Sequence, residues 1–263
     1  MIPVALTIAG SDSGGGAGLQ ADLKTFASLG VHGTSVVTCL TAQTPRRVRS
    51  IQPCNVQLMH QQLEAVFEEL RPAAIKTGML YSAPIVRTVT SFLNRRLKLR
   101  APPLVVDPVM ISASGTRLLK PGAIKLLCAE LLPLATLVTP NLHEAEVLVG
   151  RSLRSLQDLR AAARELRWRF GCAALVKGGH LRGLREAADI FYDGRTELLL
   201  AAPFVRGIRT HGTGCTYSAA ITAYLTRGLP LPEAVSRAKE YITQAIAQSQ
   251  AAAGHAVLNS FWR

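Results

Sequence analysis

The stretch LATLVTPNLHEAEVLVG, residues 134–150, joins a short apolar run to a polar turn and then to an amphipathic run. LATLVTPN is typical of a buried strand that ends in a turn, and LHEAEVLVG is typical of a helix. Gly150 is predicted to end that helix, because glycine readily adopts the left-handed conformation common at helix C-termini. A strand that leads directly into a helix indicates a βα unit, and therefore an α/β protein.

The same alternation extends outward from this unit along the whole chain. Strands are predicted at residues 4–9, 34–40, 73–78, 103–110 and 173–180, and a hairpin at residues 189–194 and 196–203. Helices are predicted at residues 19–29, 56–70 and 84–97, with two long helices that begin at Cys215 and Leu231. Such alternation forms right-handed crossovers. We therefore predict one domain over residues 1–263, with a mainly parallel sheet covered by helices on both faces.

Composition fits an ordinary globular chain of this class. The chain has 263 residues, and 48% of them are hydrophobic. The apolar run at the N-terminus stops at Gly10 and is too short for a signal peptide or a membrane span. Five cysteines are scattered singly, without the pairing of a zinc site or a disulfide framework. We expect a reduced, cytoplasmic location and no membrane partner.

The formal net charge of +13 raises the question of an anionic partner. Arg160, Arg164 and Arg167 have helical spacing and would form a basic stripe on one exposed face. No known nucleic-acid signature accompanies them. We therefore predict no dedicated nucleic-acid partner and treat the charge as a solvated surface.

Polar and glycine-rich segments follow the predicted strands. They are GSDSGGGAG (10–18), TAQT (41–44), KTGM (76–79), DPVM (107–110), TPNLHE (139–144) and KGGH (177–180). In an open parallel sheet the ligand crevice lies outside the carboxyl ends of the strands, so these segments should converge there. Neither a P-loop nor a complete G-x-G-x-x-G motif is present, which argues against a P-loop enzyme and a Rossmann dinucleotide site.

THGTGC, residues 210–215, precedes one of the long helices. The first N–H groups of a helix lack internal partners and carry the positive end of its dipole, so this turn predicts an anion site. A thiol at that position, here Cys215, is expected to have its thiolate favoured and its pKa lowered toward neutrality. A buried structural cysteine is the alternative.

Several side chains suit phosphoryl transfer, which needs charge neutralisation, a metal and a base. Lys177 could reach a phosphate, and Asp107, Asn141 and Glu144 offer oxygen atoms for Mg²⁺ or its waters. Each has a structural alternative. Lys177 could be an exposed lysine at a turn, and Asp107 could only initiate a turn. Asn141 could be only a helix N-cap, with Glu144 completing a capping box.

Six separated motifs, in order, resemble the hydroxymethylpyrimidine/phosphomethylpyrimidine kinases of bacterial thiamine biosynthesis, in the ribokinase-like superfamily. They are AGSDSGGGAGLQADLKTFASLGVHGTSVVT, KTGML, VVDPVM, LVTPNLHEAEVL, VKGGH and THGTGCTYSAA. The resemblance covers residues 4–250. It implies a ribokinase-like three-layer αβα sandwich, ATP and Mg²⁺, and a homodimer. It also implies two successive phosphorylations, first of the 5-hydroxymethyl group and then of the monophosphate.

The resemblance also implies roles for individual residues. Cys215 stands where related sugar kinases carry an aspartate base, and Gly212, Thr213 and Gly214 form the anion hole. Gln43 matches the residue that reads the aminopyrimidine edge. Other positions match the surroundings of the pyrimidine: Gly10, Ala17, Asp22, Met79 and Val109. The phosphate and metal side is matched by Lys177, Thr210, Asp107, Asn141 and Glu144.

The chain departs from the family pattern at a few positions. Arg46 and Arg47 follow the glutamine motif, Arg209 precedes the anion turn, and Ala113 stands where lysine is common. A pyridoxal or pyridoxine kinase of the same superfamily therefore stays open as an alternative. A catalytically weak pyrimidine-binding regulator and a nucleic-acid binder are alternatives from other classes.

Overall fold

The computed structural model describes residues 1–96, 101–112, 115–179, 181, 185–205 and 211–262. The strands within these residues are β1 (Val4–Ala9), β2 (His32–Val37), β3 (Cys39–Thr44), β4 (Arg47–Pro53), β5 (Ala74–Thr77), β6 (Leu104–Val106), β7 (Leu137–Val138), β8 (Ala173–Lys177), β9 (Glu186–Tyr192), β10 (Glu197–Pro203), β11 (Gln250–Ala252) and β12 (His255–Val257). The α-helices are α1 (Gly18–Ser28), α2 (Val56–Glu69), α3 (Ala83–Arg96), α4 (Pro121–Leu126), α5 (Leu142–Val149), α6 (Leu156–Phe170), α7 (Thr213–Thr226) and α8 (Leu231–Ala247). A π-helical turn, Leu127–Leu131, and a 3₁₀ turn, Leu132–Leu134, follow α4.

The central sheet has the strand order β10-β9-β8-β7-β6-β5-β1-β2. Neighbouring strands from β8 to β2 pair in parallel. β9 is antiparallel to β8 and to β10, which confirms the predicted hairpin. The carboxyl ends of the parallel strands therefore meet at one edge of the sheet.

Side chains of the central strands alternate between two hydrophobic cores. In β6, Leu104 and Val106 enter one core and Val105 enters the other. The first core also contains side chains of α2, α3, α5 and α6, and the second contains side chains of α1, α7 and α8. Because successive residues of a strand point to opposite faces, helices must cover both sides of this sheet. The predicted three-layer αβα sandwich is confirmed.

The βα unit at residues 134–150 has the local structure that was predicted for it. The Asn141 side chain accepts from the backbone N–H of Glu144, and the Glu144 side chain accepts from the backbone N–H of Asn141. This reciprocal capping box starts α5, and Gly150 ends it with φ of 77°. The capping box predicted as an alternative role is therefore present, and it places both side chains at the end of β7.

The predicted strand at residues 34–40 is instead two strands, which corrects the sequence reading. At Thr38 the chain crosses the ends of β1 and β5, where its N–H donates to the Ala9 carbonyl and its hydroxyl donates to the Met79 carbonyl. β3 then leaves the central sheet and pairs with β4 as a separate hairpin. This hairpin was not predicted, and neither was the C-terminal pair β11–β12.

Within the described residues, no helix combines the length and the apolar character needed to cross a bilayer.

Candidate active site

A cleft of about 840 Å³ lies at the carboxyl ends of the parallel strands, where the crevice was predicted. Most of the predicted site residues line it: Gly10, Ala17, Gln43, Met79, Asp107, Val109, Asn141, Glu144, Lys177, Gly212, Thr213, Gly214 and Cys215. These residues come from segments far apart in the chain. The sheet topology therefore brings the predicted segments to one place.

The glycine turn before α7 is packed tightly against the glycine-rich loop, residues 10–18. Gly212 is the N-cap of α7 and has φ of 87°. A Cβ atom on Gly212 would lie 1.8 Å from the carbonyl oxygen of Gly16, so no other residue type fits there. Gly214 and Cys215 lie in the first turn of α7, and the first N–H groups of a helix point out from its N-terminal end. The cleft wall thus presents N–H donors at the positive end of a helix dipole.

A lysine and a carboxylate lie directly against this turn. Nζ of Lys177 lies 3.4 Å from Oδ1 of Asp107, and Ser218 Oγ donates to Oδ2 of Asp107 at 3.0 Å. A Cβ on Gly214 would lie 3.3 Å from Nζ of Lys177. Burial would lower the pKa of Lys177, but the charges of Asp107 and Glu144 outweigh it and raise the pKa. The Lys177 ammonium is therefore held next to the N–H donors.

Glu144 connects two backbone segments that line the cleft. Its Oε1 accepts from the N–H of Met110 and its Oε2 accepts from the N–H of Asn141. Val109, just before Met110, has φ of 38°, a strained conformation for a β-branched residue that costs about 1–3 kcal/mol. Burial, and next the charge of Asp107, raise the pKa of Glu144. Each oxygen accepts one backbone N–H and keeps a second lone pair, which is available to a metal ion or to a metal-bound water.

The described residues contain no cluster of three or more His, Cys, Asp or Glu side chains that could hold a metal ion. Asp107, Asn141 and Glu144 offer a carboxylate, an amide and a second carboxylate on one side of the cleft. Mg²⁺ commonly binds one or two carboxylates and takes its remaining ligands from substrate phosphates and water. This donor set fits Mg²⁺ held mainly by phosphate, and not a metal held by protein alone.

Cys215 lies in the first turn of α7 and is partly accessible from the cleft. Burial raises the pKa of its thiol to about 12, although the Lys76 ammonium opposes that rise. The expectation of a lowered pKa is therefore wrong. The carboxylates of Asp22 and Asp107 add to the rise, and together with burial they outweigh the stabilisation expected from the helix N-terminus.

Asp22 does not contact the cleft, which corrects its predicted place beside a pyrimidine. The residue has no solvent exposure, and its Oδ2 accepts from Thr7 Oγ1 at 2.6 Å and from Lys76 Nζ at 2.9 Å. Lys76, in contrast, lines the cleft. Lys76 lies within KTGML, and no role was predicted for it. Its position at the end of a buried strand was the available signal.

Gln43 lies on β3. It is held by His211, which is held in turn by Asp12, and no role was predicted for either residue. Its terminal amide is 3.0 Å from Nε2 of His211, and the same Nε2 is 2.9 Å from Oδ2 of Asp12. The two Asp12 oxygens also accept N–H groups of the glycine-rich loop, from Gly14 and Ala17 among others. Asp12 lies within GSDSGGGAG and His211 within THGTGC, but nothing in the sequence indicated that these two residues are in contact.

The remaining predicted positions fall elsewhere. Thr210, Arg209 and Ala113 lie outside the described residues. Arg46 and Arg47 are exposed at the tip of the β3–β4 hairpin and do not line the cleft. The two arginines thus lie close along the hairpin to Gln43, which lines the cleft, but they are not among the lining residues themselves.

Comparison with known proteins identifies the family. The sequence pattern of the phosphomethylpyrimidine kinase family matches residues 12–259. A hydroxymethylpyrimidine/phosphomethylpyrimidine kinase of Rhizobium meliloti (strain 1021) is 49% identical over 94% of this chain and 91% of its own length.

Solved structures agree in fold. The phosphomethylpyrimidine kinase of Clostridium difficile 630 has a TM-score of 0.81 at 42% identity, over 94% of this chain and all of its own. The ADP complex of Bacillus subtilis pyridoxal kinase has a TM-score of 0.89 at 34% identity, over 99% of this chain and 98% of its own. Family pattern, sequence identity and fold agree over nearly the whole chain, which belongs to the phosphomethylpyrimidine kinase family.

Proposed function

We propose that this enzyme transfers the γ-phosphoryl group of ATP to 4-amino-5-hydroxymethyl-2-methylpyrimidine, and then a second phosphoryl group to the monophosphate, in thiamine biosynthesis. One observation carries the proposal. The N–H donors of α7 and the Lys177 ammonium lie in the same cleft as the Gln43 amide, which suits a ring with adjacent donor and acceptor atoms. The family membership supports the same assignment.

The cleft supplies one region for each substrate. Gln43 and the residues Gly10, Ala17, Met79 and Val109 would surround the pyrimidine. Apolar residues line the far part of the cleft, where a nucleotide base would pack: Ala187, Ala202, Pro203, Val205, Ile242 and Ile246. Asp189 also lines the cleft. It accepts the N–H of Gly178 at 3.0 Å and pairs with Lys239 at 2.7 Å. These contacts hold the chain just after Lys177, the last residue of β8.

The chemistry follows from these positions. The hydroxymethyl oxygen attacks the γ-phosphorus, the bond from that phosphorus to the bridging oxygen breaks, and ADP leaves with the electron pair. The N–H groups of the glycine turn and Lys177 bind the transferring group, whose negative charge they stabilise. Bound Mg²⁺ would supply further charge neutralisation on the phosphates, on the side of Asp107, Asn141 and Glu144.

We assign Cys215 the role of the base that accepts the proton of the attacking hydroxyl group. A primary alcohol is far less acidic than a thiol, so the proton leaves late, as the oxygen bonds to phosphorus. The raised pKa makes the thiolate scarce but a stronger base when formed. In the second phosphorylation the attacking group is a phosphate, which needs no such base.

Pyridoxal kinase is the second candidate, and one observation favours it. The Bacillus subtilis pyridoxal kinase has a higher TM-score than the Clostridium difficile pyrimidine kinase, although its identity is lower. The test is an ATP-dependent assay over hydroxymethylpyrimidine, its monophosphate, pyridoxal and pyridoxine. We expect both pyrimidines to be preferred. Higher kcat/KM on the vitamin B6 compounds would overturn the proposal, and binding without turnover would indicate a regulator.

Finer features belong to the proposal as well: a single kinase domain over residues 1–263, a cytoplasmic location, a homodimer, and no dedicated nucleic-acid partner. Light scattering tests the dimer. The predicted basic stripe is largely paired, since Arg160 and Arg164 both bind Glu197. This pairing supports a solvated surface, and binding to random duplex DNA should vanish near physiological salt.

A further inference from the structure

The side-chain amide of Gln43 has two polar contacts that decide its direction. One end of the amide lies 3.0 Å from Nε2 of His211, and the other end lies 3.3 Å from Oγ1 of Thr41. Thr41 Oγ1 already donates its single hydrogen to the carbonyl of Ser11 at 2.8 Å. It therefore cannot also donate to Gln43.

The contact with Asp12 decides whether Nε2 of His211 donates or accepts a hydrogen bond. Burial alone would raise the pKa of Asp12, but hydrogen bonds from His211, Gly14 and Ala17 outweigh it and lower the pKa. An ionised carboxylate only accepts hydrogen bonds, so Nε2 of His211, 2.9 Å away, must carry a hydrogen. That N–H can also be shared with an acceptor on Gln43, but it cannot accept from the Gln43 NH₂ group.

Only one direction of the amide satisfies both contacts. The two terminal atoms of a glutamine are nearly equivalent in shape, so the hydrogen-bond network decides which is oxygen and which is nitrogen. With oxygen toward His211 and nitrogen toward Thr41, the His211 N–H has an acceptor and the Thr41 hydroxyl accepts from the NH₂ group. One lone pair and one N–H of the amide then remain for a ligand.

We infer that His211, held by Asp12, fixes the direction of the Gln43 amide and so determines which ring edge the enzyme accepts. This inference rests on the proposed function. The 4-amino pyrimidine edge offers a donor beside an acceptor, and the fixed amide matches it. The 4-oxo analogue offers an acceptor beside a donor and needs the opposite direction. His211 is therefore a positioning residue for substrate choice, acting through Gln43.

The test compares kcat/KM for the 4-amino substrate and its 4-oxo analogue in three proteins. Unpaired polar groups in a closed site cost enough to give the wild type a preference of about 10- to 100-fold. In His211→Leu the amide can rotate, so the preference should fall below about threefold, while KM for ATP stays within about threefold. In His211→Gln a side-chain NH₂ replaces the imidazole N–H, and most of the preference should return.

Equal losses on both compounds in His211→Leu, with the preference unchanged, would overturn the inference and leave the proposed function standing. A wild type inactive on the 4-amino compound would overturn the proposed function and this inference together. If His211→Leu does not fold, Thr41→Val and Thr41→Ser provide the same test. Valine removes the acceptor for the NH₂ group and should reduce the preference, whereas serine should keep it; equal preferences in the two variants would contradict the inference.

Discussion

Nζ of Lys76 lies 2.9 Å from Oδ2 of Asp22, and neither side chain is exposed to solvent. Burial would lower the pKa of Lys76, but the nearby negative groups, Asp22 first, raise it well above its ordinary value. Burial raises the pKa of Asp22, yet its Oδ2 accepts from both Thr7 and Lys76, which favours the charged pair. A permanent ammonium therefore lies at the cleft wall, where its charge opposes the rise in the pKa of the Cys215 thiol.

The first prediction is that Lys76 and Asp22 change the reactivity of the Cys215 thiol in opposite directions. Lys76 lowers the pKa of the Cys215 thiol and Asp22 raises it. Alkylation of Cys215 by iodoacetamide, followed by peptide mass spectrometry, should therefore be slower in Lys76→Met and faster in Asp22→Asn. A change of about one pKa unit corresponds to about tenfold in rate at neutral pH.

Lys76→Met leaves the Asp22 carboxylate buried without its counter-ion, which destabilises a protein by about 3–5 kcal/mol. The double variant with Asp22→Asn removes both charges and serves as the stable comparison. Its alkylation rate should lie between those of the two single variants. Changes in the same direction in both single variants would show that the pair acts through packing and not through charge.

The second prediction concerns Cys215 as the base for the first phosphorylation. Cys215→Ala should lower kcat on the hydroxymethyl substrate by about 10²–10⁴-fold, the usual effect of losing a general base. The thiol pKa is about 12, so the thiolate fraction rises tenfold per pH unit throughout the accessible range. The wild-type kcat should therefore increase between about pH 7 and pH 9, and the increase should be absent from the variant.

The monophosphate substrate is the internal control, because its attacking phosphate needs no base. Cys215→Ala should affect that second step far less. Near-wild-type kcat on both substrates would mean that Cys215 is structural.

The third prediction uses two glycines with the same backbone conformation. Gly212 and Gly228 both have φ of 87°, but a Cβ on Gly212 would meet Gly16 at 1.8 Å and a Cβ on Gly228 would meet nothing within 4 Å. Gly228→Ala should cost only the strain of the left-handed backbone, about 1–2 kcal/mol in the free energy of unfolding. Gly212→Ala should cost more, and should also lower kcat by about 10²-fold or more because the N–H donors move.

Chemical denaturation and steady-state kinetics on the same two proteins separate these effects. Equal stability and equal activity in the two variants would contradict the close approach of the two loops.

The fourth prediction concerns Asp107 and Mg²⁺. Replacing Asp107 by Asn keeps the shape but removes the negative charge beside the phosphates. We expect the Mg²⁺ concentration for half-maximal rate, at fixed ATP, to rise about tenfold or more. Ser218→Ala removes only the hydroxyl that donates to Asp107 at 3.0 Å, and its effect should be smaller. An unchanged Mg²⁺ requirement in Asp107→Asn would exclude this carboxylate from the metal side.

The sequence could predict those parts of the fold whose signals are local. The capping box of Asn141 and Glu144 and the stop at Gly150 lie within one short stretch, so α5 could be placed almost to the residue. The position of Cys215 at the start of a helix could be predicted for the same reason. The pKa of its thiol could not be predicted, because burial depends on residues from other parts of the chain.

Contacts between distant segments could not be predicted. Gln43 and His211 are 168 residues apart, and Asp22 and Lys76 are 54 residues apart. Each of these side chains also has an ordinary surface or core interpretation when considered alone. Only the crossing of the chain at Thr38 brings the β3–β4 hairpin, and Gln43 with it, over the glycine-rich loop.

That hairpin shares no strand with the central sheet, and most of the β4 side chains are exposed. Within the hairpin, Cys39 belongs to one hydrophobic core, and Val48 and Ile51 pack against it. Substitutions at the exposed positions of the hairpin can therefore accumulate at little cost to the two hydrophobic cores. The choice of ring can therefore change during evolution without loss of the fold. Directed evolution toward other heterocyclic alcohols should concentrate its libraries on β3, β4 and the residues that contact them.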